Sequence, residues 1–446
     1  MANLQPFHAL RYDPATVGDV AAVVAPPYDV IDEAQRERLY ARSPYNAVRL
    51  ILNREADPYG AAARTLAEWR ASGVLVPDTL PALYLYAQRF PMPGGALRER
   101  IGVVGALQIE RFESGRVRPH ERTLAKAKED RLALLRACRT SLSPIFGLVS
   151  APEWRLAELV PDASPLIDVG DESGARDRVW PLTDPALIAA VAERLGPKEI
   201  FIADGHHRYE TALRYRDEVR AGLGAGAPPL GAAPYDYVLA YLTTMEDPGL
   251  VILATHRILR SSPLGPVALR EALAHSFAVA ELPWSAAGLA RLLGQLEAEG
   301  GRREAQPTVH FGAAVAGAGR LWLLSAPTRA LPFPPELPPA LRALDVSALH
   351  QVVLARVLGL PIGDRGGAPG LGYTQDAERA FAAVTGAEAA AAFFLPPTSI
   401  DDLRTVSLVG LTMPEKSTYF HPKLLTGLVV YPLDGAPTLA DPGARR

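Results

Sequence analysis

One stretch constrains this chain more than any other: Phe201-Ile-Ala-Asp204-Gly205-His206-His207-Arg208-Tyr209-Glu210-Thr211-Ala212. The apolar run entering it, Glu199 to Ala203, predicts a buried strand, and Asp204-Gly205 supplies a tight turn. Beyond the turn, Tyr209, Ala212, Leu213 and Arg216 recur at helical spacing. A glycine turn opening a helix gathers backbone N–H groups and the positive end of the helix dipole at one point. An anion, most often a phosphate, is stabilised there. His206, His207 and Arg208 add side-chain donors at the same place. An ordinary strand–turn–helix with a solvated start is the alternative, but two histidines and an arginine are an unusual cap.

The 446 residues leave room for two or three domains, and 48% hydrophobic with 21% charged residues is the composition of a folded globular protein. A formal net charge of -3 gives no general attraction to nucleic acid or anionic membrane, so a phosphate site has to be a local basic cluster. Cys138 is the only cysteine, which excludes intramolecular disulfides and cysteine zinc sites. Its apolar-periodic surroundings (Leu132, Leu134, Leu135) mark it for packing. No signal-peptide pattern opens the chain, and no apolar run approaches the roughly 18 residues that span a membrane. A cytoplasmic location is expected.

Taken in order, Pro26-Pro27-Tyr28-Asp29-Val30-Ile31 predicts a rigid turn that either lines a site or joins two elements. Helices are expected near Asp32–Ala41 and Tyr59–Ala71, with a short strand at Val48–Leu52. Leu83–Phe90 and Ile101–Ile109 read as a hairpin around Pro91-Met-Pro-Gly-Gly. A helix runs from about Lys126 to Arg139, then a strand at Pro144–Val149, and residues 150–185 look less regular. Pro185–Leu195 is the helix before the central strand. Strands are expected at Tyr235–Thr243 and Leu250–Ile258, separated by Asp247-Pro-Gly249, and a later hairpin at Thr308–Gly312 and Arg320–Leu324. Pro327–Pro339 reads as a connector, Ser347–Leu358 as a helix, and Gly363–Gly372 as a mobile loop. Strand Ala391–Leu395, helix Ile400–Leu408 and strand Leu428–Tyr431 follow. The alternation predicts a mixed α/β (α+β) fold. The expected divisions are an N-terminal α/β segment (1–100), a central phosphate-binding core (101–260), a C-terminal α/β domain (261–435) and a flexible tail (436–446).

Two further clusters carry chemistry. His120 to Arg131 holds Glu121, Glu129 and Asp130 among Arg122, Lys126, Lys128 and Arg131. A carboxylate near phosphate-holding cations serves as a proton acceptor or helps hold a metal ion, although a salt-bridged helix start explains the same residues. His120-Glu121 is not a metalloprotease motif, because position 124 is Leu. Lys416-Ser417-Thr418, with His421 and Lys423, lies between Pro414 and Pro422 and suits a phosphate or a carboxylate; an ordinary surface loop suits it equally. No Walker A sequence and no GxGxxG fingerprint is present.

Together, PPYDVI (26–31), PHERT (119–123), KEDR (128–131), ADGHHRYETA (203–212), DPGL (247–250), THR (255–257) and MPEKSTYFHPK (413–423) resemble a bacterial family known only as a domain of unknown function. The central part also resembles the ParB/sulfiredoxin-like superfamily, and within it most nearly the free-serine kinase. That resemblance implies a ParB/sulfiredoxin-like core with N- and C-terminal additions. It implies phosphorylation of a free amino acid, L-serine to O-phosphoserine, with ATP, ADP or pyrophosphate as donor and Mg2+ as cofactor. Glu121 would be the base, with His120 and Asp204 also catalytic and Asp204 on the metal side. Gly205, His206, His207, Arg208, Lys128 and Arg131 would hold the donor. Tyr28, Asp29, Thr123, Lys416, Ser417 and Thr418 would meet the substrate. A nucleotide-binding switch of the ParB type is the alternative. Against it stand the net charge and the lack of a helix-turn-helix with a basic recognition helix. The partners expected are a small-molecule substrate and donor, with no nucleic acid and no membrane; a homodimer is compatible with this reading.

Overall fold

The computed structural model describes residues 3–92, 95–123, 125–171, 173–299, 307–363 and 368–434. The expected tail lies outside them, as do the hairpin tip at 93–94 and the middle of the glycine loop at 364–367. The fold is mixed α/β, as the alternation of elements predicted. Two compact units divide it. The first takes the chain up to Pro119, Thr123–Leu250 and everything from Pro422 onward; the second takes His120–Arg122 and Val251–His421.

In the first unit a sheet runs in the order Val117–Arg118, Ile200–Asp204, Ile145–Val149, Tyr237–Thr244, Leu97–Gln108, Leu83–Pro91, Arg176–Leu182, Ile167–Gly170. Leu4–Gln5 pairs with Leu97–Gln108 as a ninth strand. Two neighbours run parallel, Ile200–Asp204 with Val117–Arg118 and Ile145–Val149 with Tyr237–Thr244; the rest are antiparallel. The apolar run of the central strand is buried as expected, with Ile200, Phe201 and Ile202 no more than 2% exposed. The expected hairpin pairs Tyr84 with Val104 and Pro91 with Leu97.

The Asp247-Pro-Gly249 turn owes its glycine to a close approach. A Cβ at position 249 would stand 2.0 Å from the Glu99 carbonyl oxygen, so any side chain would displace the neighbouring strand. Asp247 shapes the turn by accepting from Gly249 N at 2.8 Å.

The strand expected at Leu428–Tyr431 is confined to Tyr431–Pro432, which pairs with Thr140–Ser141, and two further expectations fail in this unit for local reasons. Val48–Leu52 is not a strand; Val48–Ile51 is a helical turn. Asn46, fully buried, decides this. Its amide donates to the Ala22 and Val24 carbonyls at 2.8 and 3.0 Å, and its Oδ1 accepts from Val48 N at 3.0 Å. Three buried bonds outweigh the extended preference of a few branched residues. Asn46→Ala is therefore expected to cost about 2–4 kcal/mol in a urea melt. A loss under about 1 kcal/mol would mean the turn forms without it.

Residues 150–185, expected to be irregular, hold the strands Ile167–Gly170 and Arg176–Leu182. Charges hid the second one: Arg176 reaches Asp168 at 2.6 and 2.7 Å and Arg178 reaches Glu99, while Val179 and Leu182 point inward.

The second unit is built on an antiparallel six-stranded sheet, in the order Ala278–Pro283, Arg320–Pro327, Thr308–Val315, Ala391–Phe394, His256–Leu259, Leu371–Thr374. The strand expected at Leu250–Ile258 is split. Val251–Ile252 pairs with Phe420–His421, and His256–Leu259 enters the large sheet. The helix expected at Ser347–Leu358 is π-wound over Ala348–Val357, with Leu358 N donating to Val353 O at 2.9 Å. Among the described residues no helix is long and apolar enough to cross a membrane.

Candidate functional site

The central strand ends at Asp204, and Gly205 turns the chain into the helix His206–Leu223. Gly205 has φ 86°, a left-handed conformation that L side chains rarely adopt, and it offers the first helical turn no side-chain cap. The space beside it belongs to Arg208, whose guanidinium would lie 3.1 Å from a Cβ at position 205. Arg208 Nη2 donates to Asp204 Oδ2 at 2.6 Å, and its Nη1 donates to the Pro144 carbonyl.

Asp204 receives a second cation from far along the chain, since Lys423 Nζ donates to its Oδ1. Burial alone would raise the Asp204 carboxyl. The charges of Lys423 and Arg208, the bond from Lys423 and the nearby His206 outweigh burial and hold it well below the usual carboxylate range. Lys423 is placed by a buried network. Arg100, 0% exposed, donates to the Pro422 carbonyl at 2.7 Å, and Gln88 donates to the Lys423 carbonyl at 3.2 Å. Gln88 also donates to Asp177 at 2.8 Å, and Tyr86 donates to the same carboxylate. Burial pushes Asp177 up to about 6 against those two bonds.

Other expected site residues of this unit stand nearby or are committed elsewhere. The Arg131 guanidinium lies 4.2 Å over the Tyr28 ring, donates to the Ile51 carbonyl at 3.0 Å and pairs with Asp130. Burial pushes the Tyr28 hydroxyl up to about 12, with Arg208 and Arg131 pulling it down and Asp29 and Asp204 pushing it up. Tyr28 thus belongs to the electrostatic surroundings of the central turn, whereas Asp29 is exposed. Lys128 is bonded to Glu210 at 2.8 Å, and Thr123 donates to the same carboxylate at 2.8 and 2.9 Å. Glu210 was overlooked as a hub, although it stands inside the central motif one helical turn after His206. Tyr209 is core: its hydroxyl donates to Glu110 O at 2.8 Å and accepts from Glu110 N at 2.9 Å.

Within the second unit, His120 is 1% exposed and shares a 2.8 Å hydrogen bond between Nε2 and Thr418 Oγ1. Glu121 bridges to Met413 in parallel, and Met413 N donates to the His120 carbonyl at 2.8 Å. The PHERT and MPEKST motifs are thereby held together. Lys416 takes a left-handed φ of 57°, and Ser417 Oγ donates to Pro414 O at 2.6 Å. Arg257, 1% exposed, donates to the Glu415 and Lys416 carbonyls, both at 3.2 Å. Burial lowers its pKa to about 10. Among the described residues, no group of three or more His, Cys, Asp or Glu could hold a metal ion.

The first unit is thus a mixed α/β sheet domain with a glycine turn at the end of a central strand, where Arg208 and Lys423 meet Asp204. The chain belongs to the family described as Protein of unknown function (DUF1015), which matches residues 4–347. No curated protein matches it. Among solved structures it is similar to a conserved hypothetical protein from Pyrococcus furiosus, at 11% identity and a TM-score of 0.34 over 75% of this chain and 97% of that one. A variant free serine kinase in complex with AMP gives 9% identity and a TM-score of 0.35, over 72% of this chain and 87% of that one. SbnI with a C-terminal truncation, from Staphylococcus aureus, gives 12% and 0.34, over 76% and 90%. Similarity at this level carries no argument about activity.

Proposed function

We propose that this protein is a phosphotransferase acting on the hydroxyl of a free amino acid, with L-serine as acceptor and ATP, ADP or pyrophosphate as donor. The observation that supports this is the convergence of Arg208 and Lys423 on one carboxylate at a glycine-opened helix start. Phosphoryl transfer needs mainly positioning and neutralisation of phosphate oxygens, and cations around a helix N-terminus supply both. His206, His207 and the Gly205 turn complete the cradle. Glu121 takes the acceptor's proton in this reading, a role that rests on the resemblance of its motif.

Mg2+ suits the residues in one mode only. Asp204 is a single ionised carboxylate, so the ion would travel with the donor's phosphates and touch Asp204, as this cation commonly does. When bound it neutralises charge on the transferring group. In the reaction, the serine hydroxyl oxygen bonds to the donor's terminal phosphorus and the bond to the leaving phosphate oxygen breaks. The hydroxyl proton passes to Glu121. Arg208 and Lys423 hold the donor oxygens in place.

Purified protein incubated with serine, Mg2+ and each donor in turn is expected to form O-phosphoserine, read by phosphorus NMR. Glu121→Gln is expected to lower turnover at least a thousandfold with donor binding kept, whereas Arg208→Ala weakens donor binding about tenfold or more. Absence of phosphoserine with all three donors would overturn the assignment, and an active Glu121→Gln would remove the base.

A further inference from the structure

We propose that the first unit carries a ligand site distinct from the central turn: a cavity of about 620 Å³ that takes an elongated small molecule with an ammonium group at one end and a carboxylate at the other. None of the residues assigned to phosphoryl transfer lines it. Gln88 links the two places, donating to Asp177 on one side and to the Lys423 carbonyl on the other.

The inner end is acidic. On strand Arg176–Leu182, Asp177 stands opposite Gln88 and Val169 in register, so the three side chains share one sheet face. Asp177 is 7% exposed and lines the cavity beside Val169. The bonds from Tyr86 and Gln88 both end on its Oδ1, which among the described residues leaves Oδ2 to the cavity. Burial already opposes the charge of this carboxylate, and an ammonium group brought to the spare oxygen relieves that cost. Asp19 and Asp171, also on the lining, are spent on local turns, accepting from Ala21 N and Ser173 N, each at 2.9 Å.

The outer end is basic. Arg38 and Arg42 stand one turn apart on the helix Glu33–Arg42, are exposed, and line the same cavity. Arg36 of that helix pairs with Glu33 and Glu37 at 3.7 and 3.6 Å, whereas Arg38 and Arg42 have no ion-pair partner among the described residues. Two such guanidinium groups suit a carboxylate, which each can hold through parallel N–H donors. Between the two ends Leu39 and Val169 make the wall apolar. The partner they describe is therefore charged at its ends and hydrocarbon in its middle. Ligand cavities run to roughly 300–1,000 Å³, so this one has room for such a molecule.

The full-length protein titrated by calorimetry with 4-aminobutyrate, 6-aminohexanoate and 8-aminooctanoate, and with hexylamine and hexanoate, tests this. One saturable site is expected for at least one of the three amino acids, about tenfold or more tighter than for either one-ended probe. Asp177→Asn should weaken that amino acid about tenfold and leave hexanoate unchanged. The double variant Arg38→Gln with Arg42→Gln should also weaken it about tenfold and leave hexylamine unchanged. Both arginines are exposed, so this variant keeps the fold and decides the matter if Asp177→Asn does not fold. No saturable binding of any of the three amino acids, equal affinity for a one-ended probe, or wild-type affinity in the arginine variant would overturn the proposal. Phosphoserine formation does not enter this readout, so the cavity and the catalytic assignment fail separately.

Discussion

Lys423→Met is expected to cost the protein about 3 kcal/mol at neutral pH and much less in acid. The pair it breaks is largely buried, with side-chain exposures of 13% for Lys423 and 16% for Asp204. Losing the lysine leaves an ionised carboxylate facing Arg208 and His206 alone of the three cationic groups that hold its pKa down, in a place where desolvation already opposes its charge. The sign follows from the direction of the shift. A carboxyl held below its unfolded value near 4 contributes stability that is present in full above that value. The contribution is lost as the pH falls toward the folded value. Urea melts of wild type and variant should therefore diverge most at pH 7 and draw together below about pH 4. Lys423→Arg, keeping the charge, should recover part of the loss. A gap of equal size at pH 7 and pH 3 would show that the lysine stem, not its charge, matters there.

What could be read in advance follows from how local each feature is. The strand–turn–helix at 200–223 was legible because an apolar run, a glycine and a helical period are neighbours in sequence. Arg208 was legible for the same reason, being four residues from Asp204 on a helix start. Lys423 was visible only as a cation in a loop. Its pairing with Asp204 spans 219 residues and is arranged by Arg100 and Gln88, which carry no local sign of that task. The helical turn at Val48 was hidden because one buried asparagine overrides the preference of its neighbours. The strand at Arg176–Leu182 was hidden because its outward positions are charged and carry their own ion pairs. A family of unknown function was expected from motifs spread along the chain, and such a family matches residues 4–347, a span that leaves out the motif at 413–423.

Between pH 6.5 and 4.5 the second unit is expected to lose stability through two buried histidines, about 2 kcal/mol of it through His256. His256 is lowered to about 4 by burial and by the Arg257 charge, with Asp376 opposing. His350 is lowered well below its ordinary value by the same two causes. Both act as neutral acceptors: His256 Nδ1 takes the Leu395 N–H at 3.4 Å, and His350 Nε2 takes the Arg257 Nε–H at 3.4 Å. A base whose folded pKa is depressed contributes stability above its unfolded value, and the contribution falls away as the pH drops toward the folded one. Over that window the unfolded chain binds protons that the folded chain refuses, at about 1.4 kcal/mol per histidine per pH unit. Amide exchange in His256–Leu259 and Ala391–Phe394 is the suitable readout, because those strands pair beside both rings. His350→Gln keeps an acceptor for Arg257 without a titrating group, so it should roughly halve the slope. An unchanged slope in His350→Gln and in His256→Gln would assign the acid sensitivity to carboxylates instead. Because Arg257 also holds the Glu415 and Lys416 carbonyls, protonation of His350 sets two cations against each other beneath that loop. Exchange should therefore rise in residues 414–418 at the same pH as in the sheet.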